Sequence, residues 1–219
     1  MSDRKVILVI GPQFSGTKLT ASICKTFFGC KGEATTDGHT PPPTDKSSNL
    51  VIRFSYPTKW RPHYSNVVEK KTKHADGIEF RNAGWVNIDK LISSVKKLYA
   101  PKNIHILIPI RDFSSVVKSG VRQGMKLEAI KVLHLLSVEF MINLIKDCNT
   151  ENIQTHWLSY EFLTYDPATC ISLLSNEINL PIILSKEDFN KKCSKIIPRN
   201  KFHVDGNNHL DYKPANHLL

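Results

Sequence analysis

Residues 6–20 read VILVIGPQFSGTKLT. The opening run VILVI is apolar, rich in β-branched side chains, and stops at Gly11. Such a run is the signature of a strand buried on both faces of a parallel sheet. Leu19, Ile23 and Phe27 then recur at fourfold spacing, which predicts a helix from Thr17 to about Phe28. Between strand and helix, Gly11 and Gly16 bracket Pro-Gln-Phe-Ser. Glycines let the backbone turn sharply and approach a ligand closely. The loop amides and the helix N-terminus then aim positive dipoles at one spot, which favours an anion, and Ser15 and Thr17 add hydroxyl donors. The alternative is a plain strand–turn–helix, because short glycine motifs are weakly specific. The loop is not the ordinary ATP-binding one. That would need Lys at 17 for the outer phosphates and Ser or Thr at 18 for magnesium, whereas the chain has Thr17-Lys18.

Outward from the loop, the pattern alternates. Strands are predicted at Lys5–Ile10, Asn49–Ser55 (NLVIRFS), Asn103–Ile110 (NIHILIPI) and Ile153–Leu158. Helices are predicted at Asn87–Tyr99, at about Ser114–Gln123, at Lys126–Asp147 and from Pro167 to about Ile178, with a last short one opened by Ser185. The stripe of the long helix is Leu127, Ile130, Leu133, Leu136, Phe140 and Leu144. Asp166 precedes Pro167 as an N-cap followed by proline at the first helical position. Strands alternating with helices predict an α/β fold, a central parallel sheet with helices on both faces. In such sheets ligands bind at the carboxyl ends of the strands, where the Gly11–Gly16 loop falls.

The chain has 219 residues and is read as a single domain, 1–219. Irregular segments cover about 29–48 and 57–85, and a polar tail runs from about 199. At 41% hydrophobic residues it can build a core, which argues against global disorder. The longest apolar runs are strand-like and too short to cross a membrane, and the N-terminus does not read as a signal peptide. Five widely spaced cysteines give neither a zinc pattern nor a disulfide framework, and a cytoplasmic location is expected. The formal charge of +10 suits a polyanionic cofactor, an acidic substrate or nucleic acid. No zinc-finger spacing or RNA-binding aromatic signature is present, so nucleic acid is not the expected partner. The densest basic run, EKKTKH at 69–74, reads as a solvated loop.

Pro12-Gln13-Phe14-Ser15-Gly16-Thr17 after the first strand resembles the 5′-phosphosulfate loop of sulfotransferases that use 3′-phosphoadenosine-5′-phosphosulfate (PAPS). The form Gly-Pro-Gln-x-Ser-Gly-Thr is closest to the Golgi-type glycan enzymes. The family also carries an Arg at the end of a later strand and a Ser eight residues on, which hold the 3′-phosphate; Arg111 and Ser119 have that spacing. A guanidinium can grip a phosphate through two hydrogen bonds, and Ser119 follows about two helical turns on. A third echo is Tyr160-Glu161-x-Leu163 followed by Asp166-Pro167. The resemblance runs in three islands from about residue 5 to 180. It implies a three-layer, P-loop-like fold and PAPS as co-substrate without a metal; the short apolar runs, separately, lead to the expectation of no membrane partner. It implies transfer of a sulfuryl group to a hydroxyl or amine of an acceptor, expected to be carbohydrate.

By that resemblance, Gln13, Phe14, Ser15, Gly16, Thr17 and Lys18 hold the 5′-phosphosulfate, and Arg111 and Ser119 the 3′-phosphate. The family has Lys or Arg immediately before Ser-Gly-Thr, where a cation meets the leaving oxygen; this chain has Phe14. Lys18 and Arg53 are the candidate replacements. In cytosolic members the second strand carries a general-base His; here that position is Ser55. The candidate bases are Glu33, Asp37, His39 and His63, each equally readable as an exposed loop residue. Tyr56 and Trp60 are candidates for an acceptor or adenine pocket, or for packing. His105 and His134 fall in strand and helix patterns and are read as structural. Three alternatives stay open: a member that binds PAPS or its product PAP without catalysis, a nucleotide kinase or triphosphatase with an atypical loop, and, as the weakest, a nucleic-acid-binding protein.

Overall fold

The computed structural model describes residues 4–32, 48–56, 72–73, 79–80, 92–93 and 95–196. Strand β1 (Val6–Pro12) leads into helix α1 (Thr17–Phe28), then β2 (Leu50–Tyr56). A two-residue antiparallel pair, β3 (Thr72–Lys73) and β4 (Glu79–Phe80), stands apart from the main sheet. Helical residues at 92–93 and 95–96 and a 3-10 turn at Pro101–Asn103 precede β5 (Ile104–Ile110). Helices α2 (Phe113–Arg122) and α3 (Leu127–Thr150), strand β6 (Gln154–Ser159), and helices α4 (Tyr160–Tyr165), α5 (Pro167–Glu177) and α6 (Lys186–Ile196) follow.

The four long strands form one parallel sheet in the order β2-β1-β5-β6. The continuous apolar run of β1 is explained by burial on both faces. Ile7 and Val9 point into one core with Ile23 and Phe27 of α1, Ile171 and Leu174 of α5, and Cys193 and Ile196 of α6. Val6, Leu8 and Ile10 point into the other with Ile92, Val95, and Met141, Leu144 and Cys148 of α3. The fold is therefore a three-layer α/β sandwich, as predicted. Each fully buried Val, Leu or Ile stabilises it by roughly 1.5–3 kcal/mol.

Several boundaries differ from expectation. β1 does not stop at Gly11: it continues through Pro12, in register with Ser55 and Tyr56 of β2. Its pairing with β5 ends earlier, at Val9 and Leu107, so Pro12, which has no N–H to give, breaks no ladder on that side. Gly11 is needed there for space, since a Cβ would lie 3.0 Å from Cγ of Pro109. The buried face of α3 is Ile130, Ser137, Met141, Leu144 and Cys148, while Leu127 is exposed. The polar Ser137 is tolerated inside because its hydroxyl donates to the Leu133 carbonyl at 2.7 Å. Tyr160–Tyr165, for which no element was predicted, is a short helix capped by Ser159, whose Oγ accepts from the Phe162 amide.

The predicted caps of the C-terminal helices are present: Asp166 accepts from the Thr169 amide, and Ser185 and Asp188 bond each other reciprocally. All five cysteines are buried free thiols. Burial pushes Cys30 and Cys148 up to about 12, which makes them inert as nucleophiles. Among the described residues, no helix is long and apolar enough to cross a membrane, and no cluster of His, Cys, Asp and Glu could hold a metal ion.

Candidate functional site

The chain leaves β1 for β2 on one side and later returns to β5 on the other, so the loop after β1 sits at the switch point of the sheet. Its backbone is unusual in two places. Phe14 has φ 65° and Gly16 φ 99°, both left-handed. Gly16 is the N-cap of α1 and supplies no side chain to the first turn, and that turn carries no acidic residue. The orphan amides of the helix start are therefore left for an outside acceptor.

Ser15 behaves differently from its expected role as a hydroxyl donor to the anion. It is buried, and both its hydroxyl and its amide donate to the Pro12 carbonyl, at 2.7 and 3.2 Å. Ser15 thus closes the loop on itself. Thr17 is also buried but faces β2, where its hydroxyl shares a 2.8 Å hydrogen bond with that of Ser55. Nη1 of Arg53 donates a long 3.5 Å bond to the same Thr17 hydroxyl. Arg53 is buried beside the loop, so one of the two proposed replacement cations stands at the helix start. The other, Lys18, is exposed on the first turn of α1.

The second half of the site comes from β5. Arg111 follows the last residue of that strand, and its Nη1 donates to the Phe14 carbonyl at 3.1 Å and to the Ser119 hydroxyl at 3.2 Å. The eight-residue spacing works because α2 starts at Phe113 and carries Ser119 back over the strand end. Nε of Arg111 is buried without a hydrogen-bond partner among the described residues. The guanidinium lies 4.3 Å above the Tyr160 ring centroid, a cation–π contact.

The start of α2 is fixed by Asp112, whose carboxylate accepts from the amides of Ser114 and Ser115 and from the Ser114 hydroxyl, at 2.6 Å. These bonds, that of the Ser114 hydroxyl foremost, hold its carboxyl down at about 2. The amide of Asp112 in turn donates to Glu161 at 3.0 Å, tying β5 to the end of β6.

Gln13 and Phe14 also border a cleft of about 10 Å³, space for a single water, whose far wall is Val116, Ile130 and His134. His134 lies against Phe113, with ring centroids 4.8 Å apart, and burial lowers its pKa, so it stands neutral. His105 is far from the site, at the amino end of β5, and its Nδ1 lies 3.1 Å from Nε2 of His156. Glu33, Asp37, His39, Trp60 and His63, the side chain of Tyr56, most of the two irregular segments and the tail from 199 lie outside the described residues.

The structure therefore brings together Phe14, Arg111 and Ser119 on one side of the loop, and Thr17, Ser55 and Arg53 on the other. It leaves Lys18 outside both groups. Tyr160 and Asp112 are the participants that sequence reasoning did not assign. The Tyr-Glu echo drew attention to Tyr160 as a mark of the fold, but its contact with Arg111 depends on how β6 ends next to β5. No family model matches the chain, and a search of curated proteins finds no match.

Proposed function

We propose that this protein is a PAPS-dependent sulfotransferase whose acceptor is a carbohydrate hydroxyl or amine. The observation that carries the reading is that Arg111 donates both to the Phe14 carbonyl of the loop and to the Ser119 hydroxyl. Two cationic or dipolar anion holders, a helix start without acidic residues and a strand-end arginine, thereby stand next to each other. A nucleotide with one anionic group at each end of its ribose matches that pairing.

In this reading Gln13–Lys18 hold the 5′-phosphosulfate, chiefly through backbone amides, and Arg111 and Ser119 hold the 3′-phosphate. The acceptor oxygen or nitrogen attacks sulfur in line. A new bond to sulfur forms as the bond from sulfur to the 5′-phosphate oxygen breaks, and PAP leaves with that electron pair. Arg53, buried at the Thr17 hydroxyl, supplies the cation for the leaving oxygen, in the role that the residue at 14 has in the family. The proton of the acceptor passes to a base, for which His39 and His63 are the proposed residues, with the acceptor entering over about 30–48 and 56–85. No metal is required, and a cytoplasmic setting is part of the proposal.

A second reading, binding of PAPS or PAP without transfer, is favoured by two observations: position 14 is a phenylalanine and Lys18 faces solvent. Calorimetry with PAP, ADP and ATP on the wild type and on Arg111→Ala tests both. PAP should bind more tightly than ADP or ATP, and Arg111→Ala should weaken it by about 100-fold. No binding of PAP, or binding indifferent to Arg111, rejects the nucleotide reading. Tight PAP binding with no turnover on hydroxyl or amine sugars selects the second reading.

A further inference from the structure

Tyr160 connects the two halves of the site. It is the first residue of α4, immediately after β6, and its ring lies against Gly16 of the loop. The fit is so close that a Cβ built on Gly16 would overlap the ring, with Cε2 at 2.9 Å. The same ring carries the Arg111 guanidinium 4.3 Å from its centroid. One aromatic side chain therefore touches both the N-cap of α1 and the arginine at the end of β5.

Its own position is over-determined. Ser159 caps α4 through the Phe162 amide, and the next residue, Glu161, accepts from the amide of Asp112 beside Arg111. The β6–α4 corner is thus pinned to the β5–α2 corner at consecutive residues. Burial raises the phenol pKa of Tyr160, so the ring meets the guanidinium as a neutral π face. Such a face restrains the plane of the guanidinium while leaving its N–H edge available for hydrogen bonds in that plane.

We infer that Tyr160 is a positioning residue that sets the distance and orientation between the loop and Arg111, and so selects a ligand with two anionic groups over one with a single 5′-phosphate. The selectivity part rests on the sulfotransferase reading; the positioning part does not. In solution the ring acts as a spacer. It sets how far the Gly16 turn stands from Arg111 and holds the guanidinium in the orientation in which Nη1 reaches the Phe14 carbonyl.

The test uses the full chain with Tyr160→Phe, which keeps the ring, and Tyr160→Leu, which removes it. Calorimetry measures the affinity ratio of adenosine 3′,5′-bisphosphate to adenosine 5′-monophosphate. The ratio should survive in Tyr160→Phe within about twofold and fall about tenfold or more in Tyr160→Leu, mainly through weaker bisphosphate binding. Amide exchange at Ser15, whose N–H donates to the Pro12 carbonyl, should quicken about tenfold in the ligand-free Tyr160→Leu protein but not in Tyr160→Phe. A preserved ratio, an equal loss for both nucleotides, or unchanged exchange in a folded Tyr160→Leu overturns the inference. If Tyr160→Leu does not fold, Tyr160→Met, also lacking a ring, carries the same expectations. If the wild type binds no bisphosphate, the sulfotransferase reading falls alone, and the exchange measurement still decides whether Tyr160 positions the loop.

Discussion

Arg111 and Phe14 stand 97 residues apart in the chain and are joined by one hydrogen bond, from the guanidinium Nη1 to the Phe14 carbonyl at 3.1 Å. Phe14 is in the left-handed region, at φ 65°, a conformation that few side chains other than glycine or asparagine adopt without strain. The bond holds the carbonyl of that strained residue towards β5. It is the link through which the strand-end arginine shapes the loop as well as its own anion site.

Replacement of Arg111 by lysine should therefore not be conservative. Lysine keeps the charge but has no planar fork to reach both Phe14 and Ser119. PAP affinity of Arg111→Lys should fall by about tenfold or more, whereas Ser119→Ala should lose only about three- to tenfold, the worth of a single hydrogen bond. Titration calorimetry of the two variants distinguishes them. A fully active Arg111→Lys would mean that charge alone suffices.

Arg53 should matter for turnover more than for binding. Arg53→Met keeps the length and apolar character that burial at β2 demands and removes the cation at the Thr17 hydroxyl. The expected result is a kcat lower by about 100-fold with PAP affinity changed by less than about fivefold. Equal losses in both would assign Arg53 to binding alone.

Gly16→Ala should destabilise the protein by about 2 kcal/mol or more, because the residue has φ 99° and an added methyl would overlap the Tyr160 ring. For a chain of this size that corresponds to a drop in Tm of about 4–8 °C. Thermal unfolding followed by circular dichroism measures it. Gly124→Ala is the control: φ there is 81° but nothing lies within 4 Å, so only the backbone strain remains.

Asp112→Ala removes the N-cap of α2 and should cost about 1 kcal/mol, whereas Asp112→Asn, which can still accept from the amides, should cost less. The hydrogen bonds from Ser114 and Ser115 hold the carboxyl at about 2, below the ordinary carboxylate value. The stabilisation it gives is present above about pH 4 and is lost as pH falls towards 2. Urea unfolding of both variants at neutral pH and at pH 3 reads the difference. Because α2 carries Ser119, Asp112→Ala should also weaken PAP binding.

His105 gives the protein a second acid limit. Its Nδ1 faces Nε2 of His156, whose own Nδ1 lies 3.2 Å from Glu177. The carboxylate can only accept, so His156 carries its proton on Nδ1, and His105 must then donate from Nδ1. That leaves Nε2 of His105 as a bare lone pair, buried without a partner among the described residues.

Burial, then Lys5 and His156, push the His105 pKa down to about 4. The folded state excludes a proton that the unfolded chain binds below about 6.5, so stability should fall as pH drops from 6.5 to 4, by roughly 2–4 kcal/mol. Unfolding midpoints across that window should flatten in His105→Phe if its larger ring is accommodated, and in His105→Asn if it is not.

The sequence by itself determined the layered α/β fold, because burial on both faces leaves a mark that needs no partner to be read. VILVI and IHILIPI have no polar alternation since both of their faces are covered. Asp166-Pro167 and Ser185-x-x-Asp188 set helix starts through contacts a few residues long, so they too were legible. The pair Arg111 and Ser119 was picked out through the resemblance, whose eight-residue spacing is itself local to one strand end and the helix after it.

What only the tertiary structure decided is where those local pieces meet. Ser15 turns inward to close its own loop, Lys18 faces solvent, and Arg53 reaches Thr17 from the neighbouring strand. The Phe14 carbonyl comes to Arg111 from far earlier in the chain and the Tyr160 ring from later in it. Strand order and register set these meetings. They follow from how whole faces of the sheet are covered, and no spacing within one segment encodes them.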